Sequence, residues 1–186
     1  HITIHFIAGN HDQADRSGLF SSMVLAGRGG VALTPEPQSI CGVQVAGIGY
    51  EDDCDAVYLK VGKIKWGEYR RILVLHAPIL GSSAQSDMVI GSGKDTIDPR
   101  RLSSENFGKD AGMRKGDLII AGHYHDPQVL AHGSEWERPT SGFGSSPAVL
   151  VPGALVQHGF GDSGLERGWW LLDTESFVMT FHTPVG

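Results

Sequence analysis

Ile2-Thr3-Ile4-His5-Phe6-Ile7-Ala8-Gly9-Asn10-His11-Asp12 opens the chain and sets its reading. Through Ala8 the residues alternate and β-branched types recur, the pattern of a β-strand. Gly9 breaks the run and permits a sharp turn. Asn10, His11 and Asp12 follow at once, at the strand end where α/β sheets place ligands. An amide oxygen can ligate a metal, and an imidazole can ligate a metal or move a proton. The same residues also suit a turn closed by an Asx side chain.

Two later stretches repeat the arrangement. Arg71-Ile72-Leu73-Val74-Leu75 reads as a strand that ends on His76-Ala77-Pro78. Gly116-Asp117-Leu118-Ile119-Ile120-Ala121 reads as a third, ending on Gly122-His123-Tyr124-His125. One strand that ends in histidine is ordinary. Three together predict a sheet edge that gathers His and Asn, which is metal-site chemistry.

Gly9-Asn10-His11-Asp12, then a strand ending in a lone His76, then Gly122-His123-Tyr124-His125, resembles the calcineurin-like metallophosphoesterase superfamily. The resemblance runs from Ile2 to about Asp173. It implies an α/β fold, a two-sheet β-sandwich flanked by helices, as a single domain over residues 1–186. It implies that Asn10, His76 and His123 bind one metal and His125 the other. His11 would stay unligated and protonate the leaving oxygen or stabilise the transition-state charge. Asp12 would orient a neighbour through its carboxylate, a role to set against simple turn capping. Two divalent ions are implied, manganese foremost, with iron, zinc or magnesium as other candidates. Such ions bind the attacking and leaving oxygens of a phosphoester and lower the pKa of bound water from about 15.7 to near 7.

The family opens with an Asp-x-His motif and a Gly-Asp motif, which supply further ligands and the bridging carboxylate. Neither stands before Gly9. The expectation is an N-terminally truncated domain that lacks its first strands, so hydrolysis by these residues alone is in question.

Within the superfamily, the SbcD-type DNA repair exonuclease subunits are the nearest resemblance. Val151-Pro152-Gly153-Ala154, Glu166-Arg167-Gly168-Trp169-Trp170-Leu171-Leu172 and Phe181-His182-Thr183-Pro184-Val185 carry it. Asp126 stands where such proteins often have lysine. The implied function is phosphodiester hydrolysis in DNA, with an ATPase partner subunit as a further expectation. A small-molecule phosphatase or cyclic-nucleotide phosphodiesterase is the second reading. A degenerate binding module without catalysis is the third. The partner is thus DNA or another phosphoester, and a homodimer stays open.

Composition fits a folded domain: 186 residues allow one sizeable core, and 40% hydrophobic content argues against disorder. No apolar run reaches a membrane span and no signal peptide is visible, so a cytoplasmic location without membrane attachment is expected. The net charge of −6 argues against a broad basic face for nucleic acid. Bound cations can still supply local positive charge. Cys41 and Cys54 read as free thiols, small and buried.

The remaining chain gives local expectations. Gly18 to Ala26 suits a short helix with Leu19, Met23 and Leu25 or Ala26 facing inward. Gly27-Arg28-Gly29-Gly30 reads as a turn, because the Lys-Ser/Thr of a phosphate loop is absent. Val31 to Thr34 and Ile40 to Ile48 read as strands, the second closed by Gly49-Tyr50-Glu51. Asp52, Asp53 and Asp55 suit a helix N-terminus. Ala56 to Glu68 reads as a helix or hairpin with Lys60, Lys63 and Lys65, able to touch a nucleic-acid strand or simply face solvent over an inward Trp66. Gly81 to Asn106 and Glu135 to Ser146 read as loops, the first with Arg100-Arg101 in reach of a phosphate. Ala148 to Val151, Gly168 to Asp173 and Phe177 to Thr183 complete the strands. His1, His5, His132, His158 and His182 read as ordinary, with His158 the one to recheck.

Overall fold

A computed structural model describes residues 2–12, 22–84, 88–89, 95–130, 147–155, 164 and 166–184. For residues 11, 22–24, 83–84 and 88–89 it describes the backbone alone. The chain is α/β. The elements run β1 (His5–Phe6), β2 (Val31–Ala32), β3 (Gln38–Ile40), β4 (Val43–Ile48), α1 (Cys54–Lys63), β5 (Arg71–His76), β6 (Ser83–Ala84), β7 (Met88–Val89), α2 (Ser104–Phe107), β8 (Leu118–Gly122), β9 (Gln128–Leu130), β10 (Ala148–Val151), β11 (Trp169–Leu172) and β12 (Met179–His182).

Six strands form one mixed sheet in the order β3-β4-β5-β8-β10-β9. Its four middle strands are parallel, and β3 and β9 add antiparallel edges. Parallel strands need cover on both faces, which is why β5 and β8 are nearly continuous apolar runs. Alternate residues serve the two sides. Ala46, Ile48, Leu73, Leu75, Ile119 and Ala121 join Val57, Val61 and Trp66 in one core. Val43, Val45, Ile72, Leu118 and Leu150 join Phe177, with Trp170, Leu172 and Met179 packed against them, in the other. One face is therefore covered by α1 and the other by the β11–β12 ladder.

The acidic run does start a helix. Asp53 caps α1 by accepting the Asp55 N–H at 2.9 Å, and Asp55 sits in the first turn, where negative charge suits the helix dipole. The helix ends at Lys63, short of the expected Glu68; Lys63 and Lys65 are exposed and Trp66, just past the helix, is buried. Lys60 is paired with Glu51.

Several sequence expectations are corrected. Ile40 to Ile48 is not one strand but a hairpin of β3 and β4. Cys41 and Gly42 both have positive φ, 47° and 79°, as a tight two-residue hairpin turn requires. Cys41 is consequently exposed, and only Cys54 is buried. The opening strand pairs only over His5–Phe6, parallel to β2. Ser22–Arg28 is a 3-10 helix on which Leu25 and Ala26 face solvent; Leu19 and the Met23 side chain lie outside the described residues. The expected loop after Gly81 holds a 3-10 turn at Pro99–Leu102 and then α2. Arg100 and Arg101 are engaged there: Arg100 forks onto Asp98, and Arg101 lies 3.9 Å over the Tyr58 ring. Glu135 to Ser146, His1, His132 and His158 lie outside the described residues.

At the sheet's other end Arg71 is buried, donating to the carbonyls of Gly112 at 2.7 Å and Lys109 at 2.9 Å. Nothing in an amphipathic pattern announces such a residue, because its partners lie about forty positions away. Among the described residues no helix is long and apolar enough to cross a membrane.

Candidate functional site

The parallel ladder of β4, β5 and β8 brings three strand ends side by side. His76 closes β5 and is the register partner of Gly122, which closes β8. Tyr50 follows β4, and its N–H donates to Ala8 O at 2.9 Å. That bond brings the segment ahead of Gly9 to the same sheet edge. The C-terminal edge, where the sequence places the site, thus collects Asn10, Tyr50, His76 and His123.

Asn10, His11 and Asp12 form one 3-10 turn. Asp12 reaches back to accept the Gly9 N–H at 2.7 Å, while its own N–H donates to Gly9 O at 3.1 Å. This is the turn-capping role, and it fixes how Asn10 leaves the turn. The His11 side chain lies outside the described residues.

His76 is held on several sides. Its Nε2 lies 2.9 Å from Asn10 Oδ1, a hydrogen bond in which the amide oxygen accepts when the ring carries its proton on Nε2. A Cβ on Gly9 would stand 2.9 Å from His76 Cε1, and one on Gly122 would stand 3.1 Å from His76 Nδ1. A side chain at Gly9 would force a shift, and one at Gly122 would press the His76 ring by a few tenths of an ångström.

His123 packs edge to face with His76, ring centroids 5.4 Å apart and planes 83° from parallel. Its φ of 126° lies in a region that side chains rarely adopt. Such strain costs on the order of 1–3 kcal/mol and gathers at functional sites. His125 sits two residues on, where its carbonyl accepts the Ala154 N–H at 3.1 Å. This bond ties the histidine turn to the segment after β10. Asp126 lies beside it, and burial first, then the Glu166 charge, pushes its carboxyl above the usual carboxylate range.

Two tyrosines bracket the imidazole pair. Tyr50 stands edge-on to His76 at 6.2 Å, and Tyr124 edge-on to His123 at 4.9 Å. Sequence reasoning assigned Tyr50 only to a strand-closing turn and gave Tyr124 no role. The one signal available was position, for each stands two residues past a strand's last residue. Cys54 is no rival nucleophile, because burial first and then the Asp95 charge push its thiol up, away from the reactive thiolate.

One pair of donors has a spacing that two ligands of a shared divalent ion could also have. Two ligands about 2.1 Å from a shared ion and at right angles lie about 3 Å apart. Asn10 Oδ1 and His76 Nε2, at 2.9 Å, have that spacing. An amide oxygen with two imidazoles suits manganese, iron or zinc. Among the described residues no three His, Cys, Asp or Glu side chains gather as a metal-holding group. The assembled set is therefore the amide of Asn10 with the imidazoles of His76 and His123, and His125 is not drawn into one group with them. No protein-family model and no curated protein matches this chain.

Proposed function

We propose that this chain is a metal-dependent phosphoesterase whose site is the strand edge holding Asn10, His76 and His123. The observation that carries the reading is the convergence of Asn10 Oδ1 and His76 Nε2 at 2.9 Å, with His123 packed on His76. These three residues would hold one ion, and His125 would serve a second. Bound ions polarise a phosphoester and generate hydroxide near neutral pH. Asn10 contributes an uncharged oxygen, so the first set adds no negative charge to repel a phosphate. His11 would donate the proton to the departing oxygen. Asp12 holds the turn that carries both. The resemblance to calcineurin-like metallophosphoesterases extends this to a two-sheet sandwich, and the packing of the β11–β12 ladder over one face of the main sheet supports it. The SbcD-type resemblance favours DNA phosphodiesters as substrate, with an ATPase subunit as partner.

The family's Asp-x-His and Gly-Asp motifs do not stand before Gly9. The carboxylates of those motifs would complete the ligand set that Asn10, His76, His123 and His125 begin. The test is hydrolysis of bis-p-nitrophenyl phosphate with Mn²⁺, by this chain and by a form extended upstream with both motifs, each with a His123→Ala control. Activity in the extended form, lost in its control, is expected. Mn²⁺ binding without activity in either form would favour the non-catalytic module. For the DNA reading, duplex affinity should fall steeply with salt.

A further inference from the structure

We infer that Tyr50 and Tyr124 are positioning residues that fix the ring orientation of His76 and His123. The four rings form one row, Tyr50, His76, His123, Tyr124. Successive centroids lie 6.2, 5.4 and 4.9 Å apart, and successive planes cross at 76°, 83° and 79°. Each ring stands edge to face with the next, an arrangement that aromatic rings favour over a face-to-face sandwich. The row crosses three adjacent parallel strands, so no single segment of sequence could produce it.

The physical need is specific. An imidazole's outer torsion is broad and roughly two-fold, so its own stereochemistry does not decide where the ring nitrogens point. A useful site needs both rings held at one angle. His76 has Asn10 at Nε2. Tyr50 meets the His76 ring edge-on from the β4 side, and Tyr124 meets the His123 ring in the same way from beyond β8.

Tyr50 is itself anchored. Its N–H donates to Ala8 O at 2.9 Å, and the Asp52 carboxylate stands near its phenol. Burial first and the Asp52 charge next push its phenol up, so it stays neutral while it holds the ring. What Tyr50 offers the histidine is its ring. Burial likewise pushes the Tyr124 phenol up.

The inference rests on the proposed reading only for its consequence in metal binding; the ring order can be read without metal or turnover. The experiment is a histidine side-chain ¹⁵N–¹H correlation spectrum of the metal-free full chain. Tyr50→Phe, Tyr50→Leu, Tyr124→Phe and Tyr124→Leu are compared, with circular dichroism as the fold check. Tyr50→Leu should shift the His76 signals, and Tyr124→Leu those of His123, while both Phe variants keep native positions. Zn²⁺ affinity, read by titration, should fall about tenfold in the Leu variants, as it does when outer groups that orient ligands are lost. Should a Leu variant fail to fold, Met at the same position supplies a flexible side chain without a ring and carries the same expectation. Unchanged imidazole signals in the ring-less variants would overturn the inference. So would Phe variants that shift as much as Leu, because the hydroxyl and not the ring would then be responsible. Absence of Zn²⁺ binding in the native chain, with the spectral shifts intact, would remove the metal reading and leave the ring order standing.

Discussion

His76 Nε2 sits 2.9 Å from Asn10 Oδ1, joining the end of β5 to a turn 66 positions earlier in the chain. The contact is a hydrogen bond, and in the proposed metal site the same two atoms would be ligands. Asn10→Ala removes the acceptor. The metal-free protein should lose about 1 kcal/mol, the net value of one such bond. Mn²⁺ affinity should fall by tenfold or more, on the order of other losses around metal ligands. Urea denaturation and a Mn²⁺ titration read the two effects separately.

The glycines on either side of His76 make a steric prediction. Ala at Gly9 would set a Cβ 2.9 Å from His76 Cε1, and Ala at Gly122 a Cβ 3.1 Å from His76 Nδ1. Overpacking of this kind costs about 1–3 kcal/mol. Gly9→Ala should be the worse of the two, as its contact is shorter and Asp12 Oδ2 crowds it as well at 3.3 Å. Thermal melts rank the variants, and the His76 ring signals should move in both.

His123 should show an inverted substitution pattern. Its φ of 126° strains any side chain, whereas glycine adopts such values freely. His123→Gly should therefore be more stable than His123→Ala by about 1 kcal/mol or more, the reverse of glycine's ordinary cost. Both variants should lose metal affinity equally. Equal stability of the two would mean that the backbone here is not strained.

Asp98 gives the pH dependence a defined sign. The Arg100 fork, first among its influences, holds the Asp98 carboxyl below its ordinary 3.8. The folded protein therefore binds this proton less readily than the unfolded chain. The stability so gained is present above about pH 4 and drains away as pH falls through the lowered value. Asp98→Asn should melt below the native chain near pH 7, and the two should converge once the pH has fallen through the lowered Asp98 value. The pair is largely solvated on the arginine side, so high salt should shrink the difference.

Much of this site was legible in sequence because its strands end where their apolar runs end. Leu73-Val74-Leu75 and Ile119-Ile120-Ala121 can only be central strands, and the histidines after them fall at one edge once β5 and β8 pair in register. The β3–β4 hairpin was not legible, because Cys41-Gly42 interrupts an alternation that reads smoothly through it. The edge strand β9 was missed, since three residues after Pro127 carry too little periodicity. The roles of Tyr50 and Tyr124 could not be read at all: each depends on which strands become neighbours, not on spacing within one stretch. The strain at His123 is likewise a property of the turn, with no residue-type signal to announce it.

The most direct test of the central claim is a Mn²⁺ titration of this chain followed by electron paramagnetic resonance, repeated with His76→Ala and His123→Ala. One saturable ion is expected in the native chain, with loss of that site in both variants. Native Mn²⁺ binding that survives both substitutions, or no saturable binding at all, would contradict it.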